Sequence, residues 1–208
     1  MTASPPSSRA DSMAPLRDFV IDMTRLVGQT QLETELISRS REMLARLLVH
    51  DSWLPEACAR ALPDRYAQYL LHCDPLERFC VVSFVWGPGQ STPVHNHTVW
   101  GLIGILRGSE RCEEFVCDST LARPSGAHHM MHPGDIDAVS PSLGDWHRVS
   151  NPSSEEVAVS IHVYGANIGA VKRQYVNSQG QIGDFISGYT AAQLPNLWDR
   201  SVGLTSVS

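Results

Sequence analysis

"GQSTPVHNHTVWGLIGILRG", residues 89–108, is the stretch on which the reading of the chain turns. His95 and His97 stand one residue apart and run directly into an apolar segment. On a strand, residues i and i+2 project from the same face, about 6–7 Å apart along the chain. The two imidazoles can therefore aim at one metal ion, or they can be two ordinary polar residues at a strand end. A metal would need a third ligand from elsewhere. His147 in "GDWHRVSN" (144–151), just after a turn and on another expected strand, is the candidate.

The surroundings of these motifs read as β-structure. From residue 66, short runs rich in Val, Ile, Phe, Tyr and Trp alternate with Gly, Pro, Ser, Asp and Asn clusters. "YAQYLLHC", "FCVVSFVW", "TVWGLIGILRG", "SERCEEFVC", "DIDAVS", "DWHRVSN" and "EVAVSIHVYG" are the expected strands. Turn signals roughly every dozen residues predict an antiparallel sandwich or barrel. Upstream the period is helical: Leu16, Phe19, Val20, Met23 and Val27, then Leu32, Leu36, Met43, Leu44 and Leu47. Thr30 and Glu33 have capping-box spacing before the second run. Pro55 can open a third short helix through Ala61. Each helix has one apolar face, so the helices should pack on something larger. The expected organisation is a flexible tail (1–14) and one domain (15–208). That domain divides into a helical segment (15–62), a barrel (66–176) and a turn-rich C-terminal extension (177–208) with one strand and a loosely held end.

Composition excludes several classes. The 208 residues are 42% hydrophobic and 18% charged, an ordinary soluble globule able to bury a core. A net charge of −6 and the lack of any basic run argue against nucleic acid as a partner. "FCVVSFVW" and "VWGLIGIL" are too short to span a bilayer, so no membrane partner is expected. The N-terminus lacks the pattern of a secretory signal, so the Asn96-His97-Thr98 glycosylation match is chance. Five cysteines, odd in number and without C-x-x-C, read as reduced thiols in a cytoplasmic protein. Cys112 and Cys117 would face opposite sides of a strand.

The motifs carry a family resemblance. Gly89, His95, His97 and Gly108 fall in place on the first cupin motif, a glycine, five residues, His-x-His, an acidic position and a later glycine. Gly101 stands where most cupins carry a metal-binding glutamate. "GDIDAVSPSLGDWHRVSN" (134–151) resembles the second motif through Gly134, Pro141, Gly144, His147 and Asn151, with one-residue differences in spacing. The resemblance implies a mainly β cupin, a double-stranded β-helix or jelly-roll barrel, with the N-terminal helices packed on it. It also implies a three-histidine metal site without a carboxylate ligand. Three neutral histidines leave the metal its full charge and open positions for an anionic chelating substrate and dioxygen. Loss of the acidic ligand is what the cysteine dioxygenase family of thiol dioxygenases shows, and the chain resembles that family from the N-terminal helices to about residue 176. In the animal members a cysteine at this position crosslinks to an active-site tyrosine. Gly101 cannot, so the chain is similar to the bacterial type.

A second constellation fits that resemblance. Ser160, His162 and Tyr164 occupy alternate positions of one expected strand and share a face, while Ile161 and Val163 face the other way. Alone they are a polar stripe in a barrel lumen. Beside three histidines they look like the Ser-His-Tyr set of the thiol dioxygenases, where the tyrosine hydroxyl lies near substrate and oxygen. The animal enzymes hold the substrate carboxylate with an arginine on the first barrel strand, and the matching residue here is Gln68. That departure resembles the glutamine-type bacterial 3-mercaptopropionate dioxygenases. Arg173 can supply the positive charge instead, although an exposed surface position is the commoner fate of such an arginine. Gly165-Ala166 replaces the Ser-Pro pair of the animal enzymes.

The resemblance thus implies an Fe(II) thiol dioxygenase, monomeric or weakly self-associating. It would act on L-cysteine or 3-mercaptopropionate with O2. A metal-dependent isomerase or lyase using zinc or manganese, and a non-catalytic ligand-binding cupin, are the alternatives. Of the remaining features, "HHMMH" (128–132) is expected in a solvated loop, with a second metal between His128 and His132 as the alternative. Trp100 and Trp146 are expected in core packing, and His50 and His72 in structural roles.

Overall fold

The computed structural model describes residues 13–117 and 122–190. The expected N-terminal tail and the loosely held C-terminal end lie almost wholly outside the described residues. Helices α1 (Ala14–Gln29) and α2 (Glu33–Leu47) come first. Ten strands follow: β1 (Ala67–Cys73), β2 (Cys80–Trp86), β3 (Gly101–Arg107), β4 (Glu110–Cys117), β5 (Ala122–Met131), β6 (Ile136–Val139), β7 (His147–Ser150), β8 (Ala158–Tyr164), β9 (Arg173–Val176) and β10 (Ile182–Phe185).

The strands form two sheets. The first runs β1-β2-β8-β3-β6, every pair antiparallel. The second begins β5-β4-β7. It continues through residues 90–96, which bond to β7 on one side (His95 N–H to His147 O and the reverse, both 3.0 Å) and to β9 on the other (Val176 N–H to Val94 O, 2.8 Å). β10 closes that sheet against β9 and is the strand expected after residue 176. This is a cupin barrel, mainly β as expected. Gly108, at φ +69°, makes the tight turn from β3 to β4 in a conformation that favours glycine.

Alternation on the strands builds two cores. Val81, Val85, Leu102, Val159, Ile161 and Val163 face outward and are buried under the helices by Phe19, Met23, Leu26 and Leu44. The opposite face of the same strands lines the lumen, where Val82, Phe84, Trp86, Val149 and Tyr164 cluster, with a second group of Ile103, Ile105, Met131 and Val139. Glu33 and Glu35 in the first turn of α2 and Arg46 in its last complement the helix dipole. Arg41 of α2 donates to the Ile136 carbonyl and ties the helix to the sheet edge.

Four local expectations are corrected. The Thr30–Glu33 capping box does not form: Leu32 is the N-cap of α2, and Thr30 Oγ1 accepts the Leu32 N–H at 3.1 Å. Glu33 instead accepts the Ser142 hydroxyl, 109 residues away. The third helix is only a 3-10 turn, Glu56–Cys58. "HHMMH" is not a loop, since its first four residues end β5, an exposed strand whose register is set by β4. His97 is not on a strand; only His95 makes bridging pairs, with His147 and Tyr175.

Candidate metal centre

His95, His97 and His147 converge, each able to offer a ligand atom within 4.8 Å of the other two. His95 and His147 are held directly opposite each other by a mutual pair of backbone hydrogen bonds. His97 is held by Asp145, whose Oδ1 accepts both the His97 backbone N–H and Nδ1–H, each at 2.9 Å. The other oxygen, Oδ2, accepts the Thr98 N–H at 2.9 Å. That clamp fixes a strained turn: Thr98 lies at φ +61°, uncommon for a β-branched residue. Asp145 is not among the site residues expected from the sequence. The cue available was a carboxylate two residues before a ligand histidine, since such histidines commonly donate their second N–H to a carboxylate.

All three rings are aligned for a metal. His95 Nδ1 lies 3.0 Å from the Pro93 carbonyl, His97 Nδ1 is on Asp145, and His147 Nδ1 lies 3.5 Å from Cys112 Sγ. Each ring therefore keeps Nε2 as its free donor. Burial lowers the pKa of all three, helped at His95 by His147 and His97 and at His147 by His97, while Asp145 pulls His97 part of the way back. The imidazoles are neutral near pH 7, the form that binds metal. Burial pushes the Asp145 carboxyl up, but its bonds to His97 and Thr98 outweigh this and leave it lowered and ionised. The residues present fit a divalent metal.

Among the described residues no fourth side chain joins the three histidines, and Gly101 offers none. It pairs with Tyr164 across β3 and β8. A Cβ at position 101 would lie 2.6 Å from Tyr164 Cδ1 and 2.8 Å from Cε1. The phenol ring occupies the space a glutamate or cysteine would need. Gly165 is likewise filled over, by the indole of Trp100. Trp100 is buried as expected, while Trp146 is only partly so.

Ser160, His162 and Tyr164 form one chain along β8. Ser160 Oγ lies 2.8 Å from His162 Nε2, and His162 Nδ1 lies 2.8 Å from the Tyr164 hydroxyl. Tyr164 in turn stacks on His97 at 5.6 Å between centroids. Phe84 stacks on His162 at 4.0 Å and covers it. Burial raises the Tyr164 pKa and holds His162 well below its ordinary value, so both are neutral.

Arg173 is not on the surface. It is 4% exposed, on β9. Nη2 donates to Ser187 Oγ at 2.6 Å, and the guanidinium lies 4.5 Å over the Phe185 ring. Nε has no partner, and no carboxylate pairs with it among the described residues. Its charge reaches His95, His97 and Tyr164. Gln68 lies on β1 opposite Phe84, between the lumen-packed Tyr66 and Leu70. Its backbone is pinned at both N–H and C=O by Thr190.

The cysteine dioxygenase type I family matches residues 4–176. The chain belongs to the cysteine dioxygenase family. Membership assigns it in general terms to the cupin thiol dioxygenases, with a metal centre and with a small molecule and O2 as reactants. Among solved structures it is similar to a conserved protein with a double-stranded β-helix domain from Klebsiella pneumoniae (17% identity, 53% of this chain, 85% of that one, TM-score 0.43). It is also similar to a cupin superfamily protein from Desulfitobacterium hafniense (15%, 55%, 85%, 0.39). A cupin 2 conserved barrel domain protein from Salinispora arenicola is a third (26%, 53%, 83%, 0.38).

Other features fall outside the centre. Cys112, His129 and Asp137 also approach one another, but His129 Nε2 and Asp137 Oδ2 already hydrogen-bond at 2.9 Å and both are half-exposed. His128 and His132 are exposed and belong to no metal-capable group among the described residues. His50 is exposed, and His72 packs on Phe79 at 5.5 Å. None of the five cysteines forms a disulfide. No helix among the described residues is long and apolar enough to cross a membrane.

Proposed function

We propose that this member of the family is a non-haem iron dioxygenase that converts the thiol of a small carboxylate, L-cysteine or 3-mercaptopropionate, into a sulfinic acid, RSH + O2 → RSO2H. The observation that carries the reading is Arg173, a buried guanidinium without a carboxylate partner among the described residues, set beside three neutral imidazoles. A buried unpaired charge is costly. An anionic substrate removes that cost, so the site favours a carboxylate.

Fe(II) held by His95, His97 and His147 would supply the redox chemistry that lets dioxygen oxidise a thiolate. The chain's own residues do the rest. Arg173 binds the substrate carboxylate, with Gln68 as a neutral second donor, weaker than a second arginine. Tyr164 meets the substrate from the β8 side, and its hydroxyl is oriented by His162 and Ser160. The Tyr164 ring also keeps position 101 free of a ligand, leaving coordination positions for substrate and oxygen. Phe84, Trp86 and Phe185 exclude water from this wall, which strengthens each of these interactions. A single domain over 15–208, acting as a monomer or weak homo-oligomer in the reducing cytoplasm, fits five cysteines without a disulfide.

The test is oxygen uptake with sulfinate detection after adding either thiol to the iron-loaded protein. Stoichiometric sulfinate supports the reading; a full iron site that consumes no oxygen with either thiol removes it. Gln68→Arg should shift preference toward L-cysteine, and an unchanged preference would separate Gln68 from the carboxylate.

A further inference from the structure

Glu110, the first residue of β4, is completely enclosed, with no exposed surface. Neither carboxyl oxygen has a hydrogen-bond partner at full geometry. Its cross-strand partner is the apolar Met131. The polar groups it faces are the Ser160 hydroxyl from β8 and the Trp86 indole from β2. Cys112 lies two residues further along β4, and Tyr164 feels its charge; no cation acts on it. Burial raises its pKa to about 7, with Ser160 and Trp86 only partly opposing. A carboxyl kept in such a place at such a cost asks for a use.

Ser160 supplies the connection. Its hydroxyl meets His162 Nε2 at 2.8 Å, and His162 Nδ1 meets the Tyr164 hydroxyl at 2.8 Å. Glu110 thus faces the Ser160 end of a line of exchangeable protons whose other end, Tyr164, lies against His97. We propose that Glu110 is the proton reservoir of this line, exchanging one proton with the site through Ser160, His162 and Tyr164. The role rests on the thiol-oxidising reading above and extends it.

The transfer balances. Neutral Glu110 donates to Ser160 Oγ, Ser160 to His162 Nε2, and His162 Nδ1–H to the Tyr164 oxygen, which leaves the Tyr164 proton directed into the site. Passing that proton to an acceptor there moves each proton one step outward. Four O–H or N–H bonds break and four form. Glu110 ends ionised, and every hydrogen bond in the line is reversed, with Tyr164 now donating to His162. The reverse shift lets the site return a proton, such as the one a thiol loses on binding. Glu110 never touches substrate and acts only through Tyr164.

Infrared difference spectroscopy on the metal-free full chain tests the reservoir without turnover. The protonated-carboxyl band, identified by its loss in Glu110→Gln, should titrate near pH 7. Its midpoint should rise in Ser160→Ala, which removes a donor to the carboxylate. A band absent throughout the neutral range overturns the proposal. With iron and substrate, the ratio of wild-type to Tyr164→Phe turnover should fall toward one as pH rises through the same midpoint. In Glu110→Gln or Ser160→Ala backgrounds that ratio should be flat; a ratio that keeps its pH dependence there also overturns the proposal. If Glu110→Gln does not fold, Ser160→Ala carries the comparison. If the loaded wild type oxidises no thiol, the functional reading falls, and the infrared titration still decides whether Glu110 holds a proton.

Discussion

The two faces of β8 differ more than any two separate parts of the molecule. Val159, Ile161 and Val163 point outward into the helix-covered apolar core, with Ser83 opposite Ile161 and bonded to the Cys58 carbonyl. Ser160, His162 and Tyr164 point inward and hydrogen-bond to one another, with Ser160 facing a buried carboxyl and the Tyr164 ring stacked on His97. Both faces are fully buried, so burial alone does not tell them apart. The difference lies in what burial does. On the outer face it removes apolar surface from water and holds the sheet to the helices. On the inner face it keeps imidazole and phenol neutral and leaves a guanidinium in want of an anion.

That contrast breaks most sharply at the ligands. His147→Ala should abolish iron binding and turnover together while the protein stays folded, as read by iron content and oxygen uptake. Retained iron would mean that His147 is not a ligand. Next comes the paired comparison on β8. Tyr164→Phe should keep its iron and its melting temperature yet lose roughly 10²-fold in kcat, the scale of a lost proton-transfer group. Ile161→Ala should do the opposite, costing about 2–5 kcal/mol of stability with turnover per folded, iron-loaded molecule unchanged. Equal effects of the two on kcat would erase the division between faces.

Arg173→Met sharpens the inner side. It should weaken binding of thiol carboxylates by at least roughly 2 kcal/mol, seen in KM, and leave binding of a thiol without a carboxylate unchanged. Thermal stability should hold or rise, because a buried unpaired charge is gone. The smallest effect is on acid stability. His162 is neutral in the fold, with a pKa below its ordinary value, while the unfolded chain takes up the proton near about pH 6.5. Its contribution is therefore complete above that pH and is lost as pH falls toward the folded pKa. Chemical denaturation of the metal-free protein should show stability declining over that interval, less steeply in His162→Gln.

Legibility in the sequence followed distance along the chain. His95, His97 and the β8 triad sit at spacings of two, and the strands that carry or flank them are strongly patterned, so their position could be read directly. Asp145 offers only the cue of a carboxylate two residues before His147, and its partner His97, 48 residues away, is not legible from that. The burial of Arg173 was hidden because Ser187 and Phe185, which enclose it, belong to a weakly patterned hairpin. Strand β5 contains Pro124 and Gly126 and is mostly exposed, so its sequence shows no alternation; pairing with β4 alone makes it a strand. Glu110 is one polar residue at a strand start, and nothing local in the sequence announces that the barrel closes over it.

Position 101 ties coordination number to the placement of the phenol. With the Tyr164 ring less than 3 Å from where a side chain would begin, the barrel can hold a fourth protein ligand or this tyrosine, but not both unmoved. A descendant that regained the glutamate would have to move the Tyr164 ring in the same step. An engineer who wants a four-ligand site in this scaffold must rewrite residues 101 and 164 as one unit.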